Sequence, residues 1–266
     1  MTNDLFGKLK RLVRNAWAPA PGSLETGNLA DLEPLQVAAW FRSPEIDQEW
    51  NGVAARLAEI CPIKDGTTGG VNPGDRRALF YLVKTLRPAS VLEIGSHVGA
   101  STAHIAAALI PQSRLTTVDL MDVNDGSDAY WRAYGLQKSP RQMLSEINRD
   151  LNISFVTSDS LSFLRTTDQR FDFIFLDGDH SMNTVLREIP AALRRLNKNG
   201  VIVLHDYFPN AKPLWSNANV ISGPFNATEK LRAHGAALRV IPLSALPWAT
   251  KLGSNVTSLA IVVRQR

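Results

Sequence analysis

The sequence predicts an α/β fold: a doubly wound, seven-stranded sheet, mostly parallel, with an antiparallel C-terminal strand and a helical N-terminal extension. Three observations carry this. Short apolar runs at 91–94, 114–120, 153–157, 171–176 and 201–204 are each bounded by glycine or polar turns, as buried parallel strands are. Helices are read between them at 100–109 and 140–147. The first run ends in a turn holding Gly95 and Gly99 that opens an alanine-rich helix over 100–109, the corner at which such sheets bind ligands.

The chain has 266 residues, 44% of them hydrophobic, enough for one large α/β core with an extension. Three parts are expected: a basic amphipathic helix and linker over 1–27, a helical extension with a lid loop over 28–75, and a ligand-binding domain over 76–266. In the first part Leu5, Phe6, Leu9, Leu12, Val13 and Trp17 share a helical face, with Lys8, Lys10, Arg11 and Arg14 elsewhere. Such a helix docks on its own domain, on a second copy in a homo-oligomer, or peripherally on an anionic membrane. No apolar run approaches the roughly 20 residues that span a bilayer, and the N-terminus lacks a secretory pattern. A cytoplasmic protein is expected, and the lone Cys61 agrees with a reducing compartment. The net charge of +4 is mild and scattered, so no nucleic-acid partner is expected.

From residue 31 to 60 the spacing gives one or two helices, with Trp40, Phe41 and Trp50 as packing anchors. Residues 66–77 are glycine-rich without the Lys-Ser/Thr of a phosphate loop, which points to a lid rather than a nucleoside triphosphate site. The next helix aligns Leu79, Leu82, Val83 and Leu86 and stops near Pro88. The turn after the first strand lacks the third glycine of a dinucleotide fingerprint. Glu93 would crowd a pyrophosphate but can accept hydrogen bonds from a cationic amino-acid group. The turn therefore suits S-adenosylmethionine better than NAD, against the alternative of a tight corner with nothing bound.

The second strand ends at Asp119, placed to accept from ribose hydroxyls or simply to cap a loop. Residues 121–150 form a long connection with Tyr130, Trp131, Tyr134 and a helix over 140–147, either a substrate-side insertion or core packing. Ser158 and Asp159 close the third strand, within reach of an adenine amine. The fourth runs into Asp177-Gly178-Asp179-His180 and the fifth into His205-Asp206-Tyr207. As neighbours these strands would bring Asp177 and Asp206 together, an all-oxygen site suited to Mg2+ or another divalent cation; otherwise each acid caps the turn after it. His180 is a candidate general base, while His205, His97, His104 and His234 carry weaker signals. A helix around 228–234 precedes strands at 238–243 and 258–264, joined by a loop and so antiparallel.

These residues resemble a known family. VLEIGSHVGAST, LTTVDL, FDFIFLDGDHS and NGVIVLHDY together are similar to class I S-adenosylmethionine-dependent methyltransferases, specifically the metal-dependent small-molecule O-methyltransferases of the catechol and antibiotic-sugar type. The resemblance runs from about residue 69 to the C-terminus and implies a Rossmann-like domain. It implies that Glu93, Gly95, Gly99 and Ser101 hold the methionine part of the cofactor, Asp119 the ribose, and Ser158 or Asp159 the adenine. Asp177 and Asp206 match the metal-binding acids, and His180 falls where a catalytic lysine or histidine stands. The family's third metal ligand, an Asn or Asp beside the second acid, has no match, since Tyr207 and His205 flank Asp206. The acceptor would be a hydroxyl of a sugar, polyketide or phenol; a metal-site hydroxylase or a non-catalytic S-adenosylmethionine-binding protein are the alternatives.

Overall fold

The computed structural model describes residues 29–63, 70–147 and 151–265. The amphipathic helix expected at 5–17, the linker after it and positions 66–69 of the lid loop lie outside the described residues. The helices are α1 (Pro34–Trp40), α2 (Pro44–Ile60), α3 (Pro73–Leu86), α4 (Ala100–Ala108), α5 (Tyr130–Ala133), α6 (Pro140–Ile147), α7 (Ser160–Thr166), α8 (Met182–Arg195) and α9 (Gly223–Ala233). The strands are β1 (Ser90–Ile94), β2 (Arg114–Asp119), β3 (Asn152–Thr157), β4 (Phe171–Leu176), β5 (Leu196–Leu204), β6 (Leu238–Pro242) and β7 (Ala260–Arg264).

They form one seven-stranded sheet in the order β3-β2-β1-β4-β5-β7-β6. Strands β1 to β5 pair in parallel, and β7 runs antiparallel to both β5 and β6. The chain winds outward from β1 to β3, then returns to β4 on the other side of β1. That reversal opens a crevice beyond the carboxyl ends of β1 and β4. Strand β4 shows why the sheet is buried on both faces. Phe173 and Phe175 join the apolar layer with Phe80, Leu82 and Ile105, whereas Ile174 and Leu176 join the opposite layer with Val185 and Ile189.

Three boundaries differ from expectation. The loop expected to run to residue 77 ends at Asn72, whose side chain accepts from Asp75 N at 3.0 Å and starts α3 with Pro73 as its first residue. Strand β5 begins at Leu196, not 201, because the polar stretch Asn197-Lys198-Asn199 is taken up where the register with β4 shifts, and Asn197 Nδ2 donates to Asp172 Oδ1 at 2.7 Å. Helix α9 starts five residues before 228, at Gly223-Pro224, where proline's missing N–H costs nothing.

The extension packs as its aromatics suggested. Trp40 and Phe41 are buried, and the Trp50 ring stands edge-on to Phe80 at 5.3 Å. The Arg77 guanidinium lies 4.1 Å from the Trp248 ring centroid and donates to Asp47 Oδ1 at 3.1 Å. Trp248 Nε1 donates to Gly74 O at 2.9 Å, so the loop between β6 and β7 fixes the first turn of α3. That turn carries Asp75, fully buried, to within 3.5 Å of His205 Nε2.

Candidate active site

The crevice holds a cavity of about 590 Å3 lined by Gly95, Asp119 and Ser158 on one side and Asp177, His180 and Asp206 on the other. Gly95 makes the first corner. Its φ is +98°, and a Cβ there would stand 2.2 Å from the Asp177 carbonyl oxygen, so only glycine lets the β1 turn lie against the end of β4. Asp177 N in turn donates to Ile94 O at 2.9 Å. The turn next locks onto β2: His97 N donates to Asp119 Oδ2 at 2.8 Å, and Met121 N donates to Asp119 Oδ1 at 3.1 Å. These bonds leave further acceptor capacity on the carboxylate, which borders the cavity.

The residues expected around the cofactor separate into two groups. Gly95, Asp119, Ser158 and Asp159 line the cavity. Asp159 also caps α7, accepting from Leu161 N and Ser162 N at 3.1 Å each, so the capping and lining roles coexist. Glu93, Ser101 and Gly99 lie behind the wall. Glu93 is fully buried and accepts from Ser101 Oγ, Thr102 Oγ1 and Thr117 Oγ1 at 2.6 Å each. Burial pushes its pKa up to about 7 against the pull of those three hydroxyls, with the charge of Asp177 adding to the rise. Gly99 caps α4 at φ +79°, and a Cβ there would meet Pro140 of α6 at 2.8 Å.

The connection at 121–150 divides similarly. Tyr130 and Trp131 both pack against the cluster of Ile60, Cys61 and Val98, but of the two only Tyr130 borders the cavity, its ring 4.6 Å from that of His97. His104 is a core group: its Nδ1 lies 2.8 Å from Ala100 O, and burial drives its pKa down to about 3. His234 sits at the exposed end of α9, its Nδ1 2.7 Å from Lys230 O.

At the other side, ligand-type atoms of Asp177, His180 and Asp206 all lie within 4.8 Å of one another. His180 Nε2 is 3.4 Å from Asp206 Oδ2 and 3.8 Å from Asp177 Oδ1. Asp206 has φ +52°, an uncommon backbone state for a non-glycine residue, and its carboxylate lies beside His180 and His205. Tyr207 is buried against Phe225, ring centroids 5.8 Å apart, and takes no part in the mouth.

Two residues matter here that the sequence signalled weakly or not at all. His205 lies behind the acids, with Nδ1 2.8 Å from Asp177 Oδ1 and 3.6 Å from Asp206 Oδ1, and Nε2 3.5 Å from Asp75 Oδ2. Neither ring nitrogen has an aligned hydrogen-bond partner, so these contacts act as ion pairs. Burial opposes its charge, but Asp206, Asp177 and Asp75 outweigh that and hold its pKa well above the usual imidazole value. Its place beside Asp206 in HDY was visible in the sequence. Asp75 had no such signal: it falls within the stretch that reads as a glycine-rich loop, yet it is fully buried beside His205.

The donor chemistry fits both groups that the sequence implied. A glycine corner and acceptor-lined edge suit an adenosyl group carrying a positive charge, and two carboxylates with an imidazole at one mouth suit a divalent cation.

Residues 92–207 match the family model described as a methyltransferase domain. A stretch of 70 residues is 40% identical to a rat protein named transmembrane O-methyltransferase homolog, covering 26% of this chain and 23% of that protein, so the chain aligns with about a quarter of its relative. The whole chain superposes on the whole of the O-methyltransferase TomG from Streptomyces achromogenes, solved with SAM, at 16% identity and a TM-score of 0.53. An O-methyltransferase from Bacillus cereus, solved with SAH, matches 83% of this chain and 100% of its own at 20% identity and a TM-score of 0.52. At these identities the structural likeness establishes the fold. No helix among the described residues is long and apolar enough to cross a membrane.

Proposed function

Starting from a chain whose residues 92–207 match a methyltransferase domain set in a class I methyltransferase fold, we propose that it transfers a methyl group from S-adenosylmethionine to a hydroxyl of a small molecule, assisted by a divalent cation. One observation carries the reading: a single cavity joins the Gly95–Asp119 corner to the Asp177–His180–Asp206 mouth. Bound there, S-adenosylmethionine supplies a methyl on a sulfonium, and Mg2+ or another divalent cation favours the ionised form of the acceptor oxygen.

The chain's own residues do the rest by placement. Gly95 admits the cofactor close to the backbone, Asp119 accepts from ribose hydroxyls, and Ser158 and Asp159 face the adenine edge. Glu93, Ser101 and Gly99 act on the methionine end indirectly, by setting the shape of the corner. Asp177 and Asp206 hold the cation, and Asp177 and His180 are the catalytic pair facing the acceptor, whose proton leaves toward this cluster. Holding the acceptor oxygen in line with the methyl supplies much of the acceleration. Tyr130 edges the acceptor side. We place the protein in a reducing compartment, the cytoplasm, in keeping with its single cysteine.

Calorimetric titration with S-adenosylmethionine, with and without Mg2+, tests this alongside methyl transfer to a panel of sugar, polyketide and phenolic hydroxyls. Binding of the cofactor and transfer to one acceptor class are expected. Asp119→Ala weakens cofactor binding at least tenfold; His180→Ala leaves it intact and removes turnover. Loss of cofactor binding in His180→Ala contradicts the division of roles.

A further inference from the structure

We propose, resting on the reading of this mouth as a cation site, that His180 is itself a metal ligand, and that the set Asp177, Asp206 and His180 selects a borderline ion such as Mn2+, Co2+ or Zn2+ over Mg2+. A nitrogen lone pair given to a cation cannot also take a proton, so His180 then acts by holding the ion rather than as a general base.

The geometry comes first. Donors bound to one ion at roughly 2.0–2.2 Å stand about 3 Å apart at octahedral right angles and about 3.5 Å apart at tetrahedral angles. His180 Nε2 is already 3.4 Å from Asp206 Oδ2 and 3.8 Å from Asp177 Oδ1, so small side-chain rotations suffice. Both carboxylates thus flank the His180 ring, with the His205 ring 6.3 Å from it. The backbone that carries it is held: a Cβ on Gly223 would stand 1.9 Å from the His180 carbonyl oxygen, so the start of α9 presses directly on this loop.

A second, independent feature points to a ligand at the same place. His205 is only 8% exposed, lacks an aligned hydrogen-bond partner on either ring nitrogen, and aims Nδ1 at Asp177. It stands behind the carboxylates, with the buried Asp75 beyond it, where outer groups that orient metal-binding carboxylates are found. Both histidines line the cavity, but they differ in exposure: His205 is buried against the acids, and His180 faces the mouth with 30% of its side chain exposed. An imidazole among the donors is what separates the ion classes. Mg2+ favours oxygen donors and retains water, whereas imidazole suits the later first-row ions, whose affinities also rise along the series.

The test uses the full chain stripped with chelator, titrated calorimetrically with Mg2+, Mn2+ and Co2+, and examined by pulsed electron paramagnetic resonance after Mn2+ loading. We expect Co2+ and Mn2+ to bind at least tenfold tighter than Mg2+, with a directly coordinated 14N signal. His180→Gln should abolish that signal and narrow the affinity gap to under threefold, with His180→Ala as a second variant if glutamine disturbs the fold. His205→Gln, or His205→Asn if the first does not fold, should keep the signal. A signal that survives in both His180 variants, a signal lost only in the His205 variant, Mg2+ binding as tight as Co2+, or no metal binding each overturns the proposal. S-adenosylmethionine titrated into the same samples separates this from the methyl-transfer reading, which fails if no cofactor binds even where the metal result stands.

Discussion

The two sides of the cavity are built differently, although both hang from the carboxyl ends of adjacent parallel strands. On the β1–β2 side the acids are engaged by hydrogen-bond donors: Glu93 by three hydroxyls, and Asp119 by two backbone amides. On the β4–β5 side, Asp177 and Asp206 face imidazoles, both ring nitrogens of buried His205 lack an aligned partner, and Asp75 Oδ1 has none. A satisfied network rigidifies; unsatisfied buried polar atoms cost stability and persist where function requires them. The first side is thus a rigid cradle, whereas the second leaves buried polar atoms without hydrogen-bond partners.

The comparison breaks most visibly at the two glycines that clamp the loop at 177–180 between them. Gly95→Ala places a methyl against the Asp177 carbonyl in a left-handed backbone state. We expect the largest effect here, destabilisation of ~3 kcal/mol or more with loss of cofactor binding, read by chemical denaturation and calorimetry. Gly223→Ala presses on the same loop from the opposite side, at His180. It should cut turnover by tenfold or more while cofactor affinity stays within threefold. Equal loss of cofactor binding in both variants would show that the two sides are one unit.

Buried charge sharpens the comparison. The Glu93 pKa is raised from 4.5 to about 7, so the fold prefers the protonated carboxyl. Its contribution is complete below pH 4.5 and is lost as pH rises through about 7, a swing of ~3 kcal/mol. Denaturation of the wild type and Glu93→Gln at pH 5 and pH 8 should show the variant gaining relative stability at the higher pH. His104, with its pKa lowered to about 3, has the opposite sign, favouring the fold at neutral pH and losing that contribution as pH falls from 6.5 toward 3. The difference between the two Glu93 forms isolates the carboxylate, and a parallel pH response would place it outside the buried network.

Legibility in the sequence follows the same division. The doubly wound seven-stranded class, the parallel strands and the neighbouring places of β4 and β5 were readable, because a parallel strand buried on two faces must be apolar and must end in a turn, as at Ile94-Gly95 and Leu176-Asp177. The residues at strand ends, Asp119, Asp177 and Asp206, were readable for the same reason. Glu93 and Ser101 were harder: sequence spacing places them at the corner but does not say which face they present, and the hydroxyls of Thr102 and Thr117 turn Glu93 inward. Asp75 was hidden because its partner, His205, is distant in sequence and the two meet only through packing of α3 under β5. The start of β5 was masked by polar residues in a shifted register, where strand periodicity fails.

The smallest expected effect tests whether that distant support reaches the chemistry. Trp248 stacks on Tyr81 and Arg77 and donates through Nε1 to Gly74 O, next to Asp75. Trp248→Phe keeps an aromatic ring in the stack and removes the one hydrogen bond, which leaves Gly74 O without that donor. A loss of ~1 kcal/mol in stability is expected. If the first turn of α3 holds Asp75 under His205, turnover should fall two- to fivefold with cofactor affinity unchanged, because the corner at Gly95 and Asp119 does not touch Trp248. A drop in cofactor affinity instead would mean that α3 transmits its position to the cradle through α4, against which it also packs.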